Sequence, residues 1–268
     1  MGELSIIGVF SARPDGATSL ALGLAAVLSA DRHVLLVDLS VHRPEVAPLL
    51  NLDESAGTYR LACRSRLTAV SASELEAHVQ RRDGVAVLAG TYLRPEQRRE
   101  ITDDFVDELM AAAMAGFDHV VVDLGRPRAS LPSSIARGAL LWVVAPTPLG
   151  LVALERSVSQ LELCDQEWWA STGIVLNRIP GRAWHGVDRF IEREYRTRVV
   201  GRVPAAPGLW ESIEVTHSLE ALCVPITELA RHPRAREVDV LTTRRALGQL
   251  RDALLGERRG IGRRTPEA

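Results

Sequence analysis

Short apolar runs recur along the chain, and polar or helix-forming segments separate them. Seven of these runs are rich in Val, Ile and Leu and lie at residues 5–11, 33–40, 84–90, 119–125, 140–146, 173–179 and 199–204. They are nearly continuous rather than alternating, which is typical of strands covered on both faces, as in a parallel sheet. The pattern therefore predicts a set of buried, parallel strands.

Helix-like segments lie between the strands, at residues 18–30, 95–116, 148–164, 185–196 and 208–219. Segment 95–116 has the clearest helical period, with Ile101, Phe105, Leu109 and Met110 on one face and charges elsewhere. Region 51–83 is less regular and gives only weak helix signals. Strands that alternate with helices predict an α/β fold, with a doubly wound, mostly parallel sheet flanked by helices.

Residues directly after the predicted strands are the candidate site, because ligands of such sheets bind at the carboxyl ends of the strands where strand order reverses. The first strand is followed by "SARPDGATS" at residues 11–19, a Gly-containing turn that opens a helix with Thr18 and Ser19. This is the layout of a phosphate-binding loop, in which backbone N–H groups and the helix N-terminus hold an anion. Asp38 and Asp123 come at the ends of two later strands.

Composition narrows the classes of protein and partner. The chain has 268 residues, is 46% hydrophobic and carries a formal net charge of -2, so binding to nucleic acid or membrane would need a local basic patch. Three widely spaced cysteines indicate a reducing compartment, and the first 16 residues lack the basic start and long apolar run of a signal peptide, so we expect no leader. No apolar stretch approaches the roughly 20 residues that span a bilayer. We expect a soluble, cytoplasmic protein. All 32 basic residues are arginine, so no mechanism that needs a lysine ammonium can run on this chain alone.

In this order the motifs resemble the MinD/ParA family of deviant P-loop ATPases, and most closely its CpaE/TadZ-like branch of pilus-assembly and septum-site proteins. The resemblance runs from about residue 4 to about residue 225 and rests on the loop at 11–19, "VLLVDLS", "HVVVDLGRP", "VVAPTPLG" and "GIVLNRI". It implies a P-loop domain over residues 1–232, followed by an arginine-rich C-terminal helix and tail over residues 233–268.

The phosphate loop departs from the family pattern Lys-Gly-Gly-x-Gly-Lys-Ser/Thr-Ser/Thr, which falls on residues 12–19. Gly16, Thr18 and Ser19 match, but alanines stand at both lysine positions, 12 and 17, and Arg13 and Pro14 replace the two early glycines. Pro14 removes one backbone N–H from the cradle. Asp15 adds a negative charge where a polyphosphate would sit. The backbone cradle is thus partly kept while its cations are missing.

The resemblance also implies roles for single residues. Thr18 and Asp123 would hold Mg²⁺, and Asp38 and Asp123 would be the catalytic carboxylates if the protein is active. The residues that would bind ATP or ADP are Arg13, Gly16, Thr18, Ser19, Asn177 and Arg178, with Asn177 recognising adenine. An ordinary helix start at Thr18 and Ser19, and ordinary strand-end turns at Asp38 and Asp123, are the alternative to these roles.

Three functions stay open at this point. The first is a positioning or scaffolding protein of pilus-assembly, septum-site or partitioning type that hydrolyses little or no ATP, because phosphoryl transfer depends on positioned charge. It would form a homodimer, bind protein partners of a pilus, secretion or division apparatus, and be recruited to the membrane or a cell pole. The second is a slow ATPase of the same family that cycles between a monomer and a nucleotide-bound dimer and uses Arg13 as its cation. The third is a DNA- or membrane-surface binder that acts through the basic C-terminal tail.

Overall fold

The structure is a computed structural model that describes residues 5–82, 84–128, 130–162, 168, 172–179, 186–195, 197–205 and 219–221. Most of the helix predicted at 208–219 and the whole tail at 233–268 lie outside the described residues. The division of the chain into a domain and a tail therefore stays a prediction. Among the helices of the described residues, none has the length and apolar character that crossing a membrane requires.

Eight strands of the described chain form a single sheet, as the apolar runs predict apart from one short strand. They are β1 (Ser5–Phe10), β2 (Val34–Asp38), β3 (Gln80–Arg82), β4 (Val85–Leu88), β5 (His119–Gly125), β6 (Ala139–Val144), β7 (Thr172–Ile179) and β8 (Arg198–Pro204). Their spatial order is β3-β4-β2-β5-β1-β6-β7-β8. Every neighbouring pair is parallel except β3 with β4. The predicted α/β, doubly wound and mostly parallel sheet is confirmed.

Helices connect the strands over both faces of the sheet. They are α1 (Ala17–Leu28), α2 (Val46–Leu50), α3 (Thr58–Ser65), α4 (Ala72–Glu76), α5 (Asp103–Met114), α6 (Ser133–Ala136), α7 (Pro148–Glu162) and α8 (Val187–Glu194), with 3-10 turns at Glu54–Ala56 and Gln97–Glu100. The single helix predicted at 95–116 is wrong in its first part. Thr102 caps a new helix there, because its hydroxyl accepts a hydrogen bond from the Phe105 N–H at 3.1 Å.

Two apolar layers cover the two faces of the sheet, and consecutive strand residues alternate between them. Val9 lies in the layer that contains α1, whereas Phe10 lies in the layer that contains α5 and α7. Trp142 is completely buried in the second layer, and its ring centroid is 4.9 Å from that of Phe10. Because both faces are buried, the strands are apolar along their whole length, which explains the near-continuous runs in the sequence.

The order of the strands reverses at β1. The chain goes from β1 to β2 on one side of the sheet, with β5 inserted between them, and later adds β6, β7 and β8 on the other side. The carboxyl ends of β1, β2 and β5 therefore meet at one edge, where the sheet opens into a crevice. This edge carries the loop at residues 11–16 and the strand-end residues Asp38 and Asp123.

Candidate functional site

The loop between β1 and α1 is a tight turn that depends on a glycine. Gly16 has a φ of +97°, and a Cβ built on it would lie 2.4 Å from the Asn177 Nδ2 atom. The same Asn177 amide donates a hydrogen bond to the Asp15 carbonyl at 2.7 Å, and the Ser11 hydroxyl donates to the Arg13 carbonyl at 2.5 Å. The end of β7 thus holds the loop in place through Asn177, so a side chain at Gly16 would break this arrangement.

The N-terminus of α1 opens towards the crevice with its polar groups available. No side chain among the described residues caps this helix, and no acidic residue lies in its first turn. Since the first N–H groups of a helix have no intrahelical acceptor, those of Ala17, Thr18 and Ser19 are donors for an anion, and the positive end of the helix dipole favours the same charge. This part of a phosphate site needs no particular side chain.

The loop side chains supply little positive charge. Ala17, at the lysine position, is only 5% exposed and joins the apolar layer beneath α1. Arg13 and Pro14 are exposed on the rim. The expectation that Asp15 places its charge in the phosphate position is wrong, because Asp15 is 8% exposed and is not among the residues that line the crevice. The Asp15 side chain therefore does not occupy the crevice itself, although its charge still acts on the loop from behind because interactions between charges are stronger in a buried setting.

Two buried carboxyl groups lie behind the loop. Asp38 and Asp123 are in register on neighbouring strands, and their side chains are 1% and 0% exposed. Burial, and then the negative charge of Asp123, raise the pKa of Asp38 well above its usual range, although N–H groups of Ser40 and Val46 donate to its carboxylate at 2.9 and 3.3 Å. Burial also raises the pKa of Asp123. Two buried, adjacent carboxyl groups resist carrying two negative charges unless a cation joins them.

The Asp123 carboxyl group fits a divalent cation. Its Oδ1 atom accepts a hydrogen bond from the Gly125 N–H at 2.9 Å, while its Oδ2 atom is buried without a hydrogen-bond partner among the described residues. The Thr18 hydroxyl lies beside this carboxylate and favours its charged form. Mg²⁺ is bound by one or two protein oxygens together with water and phosphate oxygens, so Thr18 and Asp123 are sufficient protein ligands. Among the described residues, no group of three or more His, Cys, Asp or Glu could hold a metal by itself.

The resemblance aligns Asp38 with the first residue of an Asp-x-Asp segment, whose second carboxylate is replaced here by Ser40, and the structure gives this serine a local role. Its hydroxyl donates to the Arg43 carbonyl at 2.9 Å, and the Arg43 N–H donates back to the Ser40 carbonyl at 3.2 Å. Residues 40–43 therefore form a closed turn that points His42 and Arg43 towards the crevice.

The crevice in front of these groups has a volume of about 630 Å³ and a cationic lining. Besides Arg13, its walls contain Arg43, Arg126 and Arg128, with His42 beside them. Burial lowers the pKa of His42, and the positive charges of Arg98, Arg126 and Arg128 lower it further. Sequence reasoning missed Arg126 and Arg128, although both stand in "DLGRPR" directly after Asp123, the segment that the P-loop layout already placed at this edge.

The remaining predicted residues lie on two sides of the loop. Ser19 is half-buried and lines the crevice with Gly16 and Thr18. Asn177 is 4% exposed on the β7 side, against the loop. The side chain of Arg178 lies outside what the structure describes. The structure thus brings together Gly16, Thr18 and Ser19 along one crevice, with Asp123 buried beside Thr18, Asn177 behind the loop and Arg13 on the rim.

The fold of this chain is similar to that of several solved structures. No protein-family model and no curated protein matches the chain in sequence. A ParA family ATPase from Chlorobium tepidum TLS has a TM-score of 0.63 at 20% identity, covering 85% of this chain and 99% of its own. The cell division ATPase MinD from Pyrococcus furiosus has a TM-score of 0.62 at 21% identity, covering 85% of this chain and 100% of its own.

A third solved structure was determined with a nucleotide bound. It is the septum site-determining protein MinD from Pyrococcus horikoshii OT3 in complex with Mg-ADP, with a TM-score of 0.61 at 18% identity, covering 86% of this chain and 98% of its own. Identities this low show a shared fold rather than a shared activity. The chain has the MinD/ParA fold of P-loop nucleoside triphosphatases.

Proposed function

We propose that the chain is a MinD/ParA-like positioning or scaffolding protein whose nucleotide site hydrolyses little or no ATP. One observation supports this most directly: the P-loop geometry is kept around α1, but a buried Ala17 stands where the loop lysine belongs, in a chain without any lysine. Removing one positioned donor from a transition state costs about 10²–10³ in kcat. Two missing lysines therefore reduce phosphoryl transfer far more than binding.

The same proposal covers ligands and partners. Mg²⁺ with ATP or ADP is the proposed ligand, since Thr18 and the unpartnered Asp123 Oδ2 suit the metal and the α1 N-terminus suits phosphate. We further propose a CpaE/TadZ-like role, as a homodimer that binds protein partners of a pilus, secretion or division apparatus. The protein would be cytoplasmic and recruited to the membrane or a cell pole. A fluorescent fusion that stays uniformly distributed in its own host would contradict this recruitment.

Hydrolysis is tested by steady-state phosphate release from Mg-ATP by the purified full-length protein. We expect turnover indistinguishable from that of Asp123→Ala, because the cations that stabilise the transition state are missing. Asp104→Ala, an exposed carboxylate on α5, is the matched control. Robust turnover that is lost in Asp123→Ala and kept in Asp104→Ala would refute the proposal.

A slow ATPase is the second candidate, and the cationic crevice favours it. In that case the parent protein releases phosphate at a low but measurable rate, and Arg13→Ala abolishes the release because Arg13 is its catalytic cation. Equal rates in the parent and in Arg13→Ala would remove this role from Arg13.

A further inference from the structure

We propose that Arg126 and Arg128 bind the outer phosphates of a polyphosphate ligand in the crevice, as cations supplied by the loop after β5 in place of the missing lysines. This inference rests on the nucleotide site of the proposed function. It identifies the side chains that neutralise the negative charge of the phosphates. It concerns binding alone and not hydrolysis.

The fold holds the β5 loop against the end of β2. Gly125 has a φ of +66°, and a Cβ built on it would lie 2.4 Å from the Ser40 hydroxyl oxygen, so only glycine permits this approach. The Arg128 guanidinium then donates to the Leu39 carbonyl at 2.8 Å. Pro127 restricts the backbone between the two arginines. Both residues consequently line the crevice in front of α1.

The charge on the crevice walls is unbalanced. Four arginines and one carboxylate line it, and that carboxylate, Glu45, already forms an ion pair with Arg43 at 2.6 Å. Within the part of the chain that the structure describes, no ion pair joins Arg13, Arg126 or Arg128 to an acidic side chain, although the negative charge of Asp103 lies near enough to Arg128 to favour its charged form. Like charges held together in a partly buried crevice repel each other, so a multiply charged anion stabilises this arrangement.

The strand order determines which end of the ligand reaches these arginines. Asn177 approaches the loop from β7, on one side of β1, whereas Arg126 and Arg128 follow β5, on the other side. The N-terminus of α1 lies between them. Arg126 and Arg128 line the same crevice as Thr18 and Ser19, so a polyphosphate that binds the α1 N-terminus extends its outer phosphates towards them on the β5 side. Guanidinium groups bind phosphate through two parallel hydrogen bonds, which suits them to this position.

Calorimetric titration of the full-length protein with Mg-ATP, AMP and inorganic tripolyphosphate tests the proposal. We expect ATP and tripolyphosphate to bind and AMP to bind at least about tenfold more weakly, since one charge-assisted hydrogen bond changes affinity by about that factor or more. In Arg126→Gln/Arg128→Gln, ATP and tripolyphosphate should bind at least about tenfold more weakly. ATP that binds much more tightly than tripolyphosphate indicates that the nucleoside contributes, whereas equal affinities indicate that the phosphate chain alone is recognised; both results support the proposal.

Arg137→Gln is the matched control. Arg137 is exposed and precedes β6, at the opposite edge of the sheet from the crevice, so its loss removes one positive charge, as Arg126→Gln alone does, without touching the site. Arg126→Gln alone is the second variant if the double variant does not fold, because Arg126 is exposed and makes no hydrogen bond to another described residue that would hold the loop. The proposal is overturned if no polyphosphate binds, if the arginine variants bind as tightly as the parent, or if Arg137→Gln weakens binding equally. None of these results depends on whether ATP is hydrolysed.

Discussion

Replacing Asp123 by Asn should stabilise the metal-free protein at neutral pH. Asp123 and Asp38 face each other in register on neighbouring strands, and both are buried. In Asp123→Asn the amide oxygen still accepts the hydrogen bond from the Gly125 N–H, while the amide nitrogen takes the place of Oδ2, which has no partner among the described residues. The substitution therefore removes a charge at almost constant shape.

The size of the effect follows from the spacing of the strands. Neighbouring strands are about 5 Å apart, and two unit charges at that distance repel each other by roughly 3 kcal/mol at an effective dielectric constant of about 20. Protonation of one carboxyl group already relieves part of this repulsion in the parent protein, because the pKa of Asp38 is raised. We therefore expect a net stabilisation of about 1–2 kcal/mol, which corresponds to a rise in Tm of about 3–6 °C for a domain of this size.

The stabilisation by Asp123→Asn should increase as the pH rises. Because the pKa values of both carboxyl groups are raised in the folded protein, its folded state binds protons more tightly than the unfolded chain does. The two carboxyl groups therefore destabilise the parent least below about pH 4, the pKa of an Asp in the unfolded chain. The parent loses stability as the pH rises through the higher pKa values that the two groups have in the folded protein. The difference between Asp123→Asn and the parent should be near zero at about pH 4 and grow towards neutral pH.

Urea denaturation in a buffer that contains a chelator, repeated between pH 4 and pH 8, measures this difference. Asp104→Asn is the control, because it removes the same charge from an exposed position on α5 and should change the free energy of unfolding by less than about 0.5 kcal/mol at every pH. A destabilisation by Asp123→Asn at neutral pH, or a gain that is constant with pH, would refute the account of two repelling buried carboxyl groups.

Two stability measurements examine the loop and the core. Gly16→Ala should lower the free energy of unfolding by about 1–3 kcal/mol more than Gly84→Ala in urea denaturation. Both glycines have a positive φ, but only a Cβ at Gly16 would meet a neighbour, the Asn177 amide. Equal losses of stability would show that this contact does not hold the loop. Trp142→Ala should cost about 3–5 kcal/mol, whereas Leu67→Ala, at an 87% exposed position, should change stability by less than about 0.5 kcal/mol. A small loss at Trp142 would contradict its central place in the core.

Much of the fold could be predicted because a doubly wound sheet buries both faces of its strands, and such strands are apolar without interruption. The one short strand that was missed, β3, has the sequence Gln-Arg-Arg, lies antiparallel at the sheet edge and carries no apolar signal. The break before α5 was missed for a different reason. Ile101 and Phe105 keep the helical spacing across it, so only the capping hydroxyl of Thr102 marks where the helix begins.

The candidate site was predictable where it depends on position along a strand and not where it depends on side-chain direction. Asp38 ends β2 and Asp123 lies two residues before the end of β5, so their meeting follows from the parallel register. The burial of Asp15 does not follow from the sequence, since a turn residue can point either way. Arg126 and Arg128 were missed because their role depends on how closely Gly125 lets the β5 loop approach Ser40.

The structure separates two properties that a single lysine usually combines in a phosphate loop. Holding a polyphosphate needs enough positive charge nearby, and the α1 N-terminus with the arginines after β5 supplies it. Accelerating phosphoryl transfer needs a compact cation fixed on the oxygens where charge develops, and a wide, planar guanidinium is a poor replacement for a lysine ammonium there. Under the proposed function, a chain with Ala17 and Arg126 would bind a nucleotide and remain in the bound state, which a scaffold requires and a rapid ATPase does not.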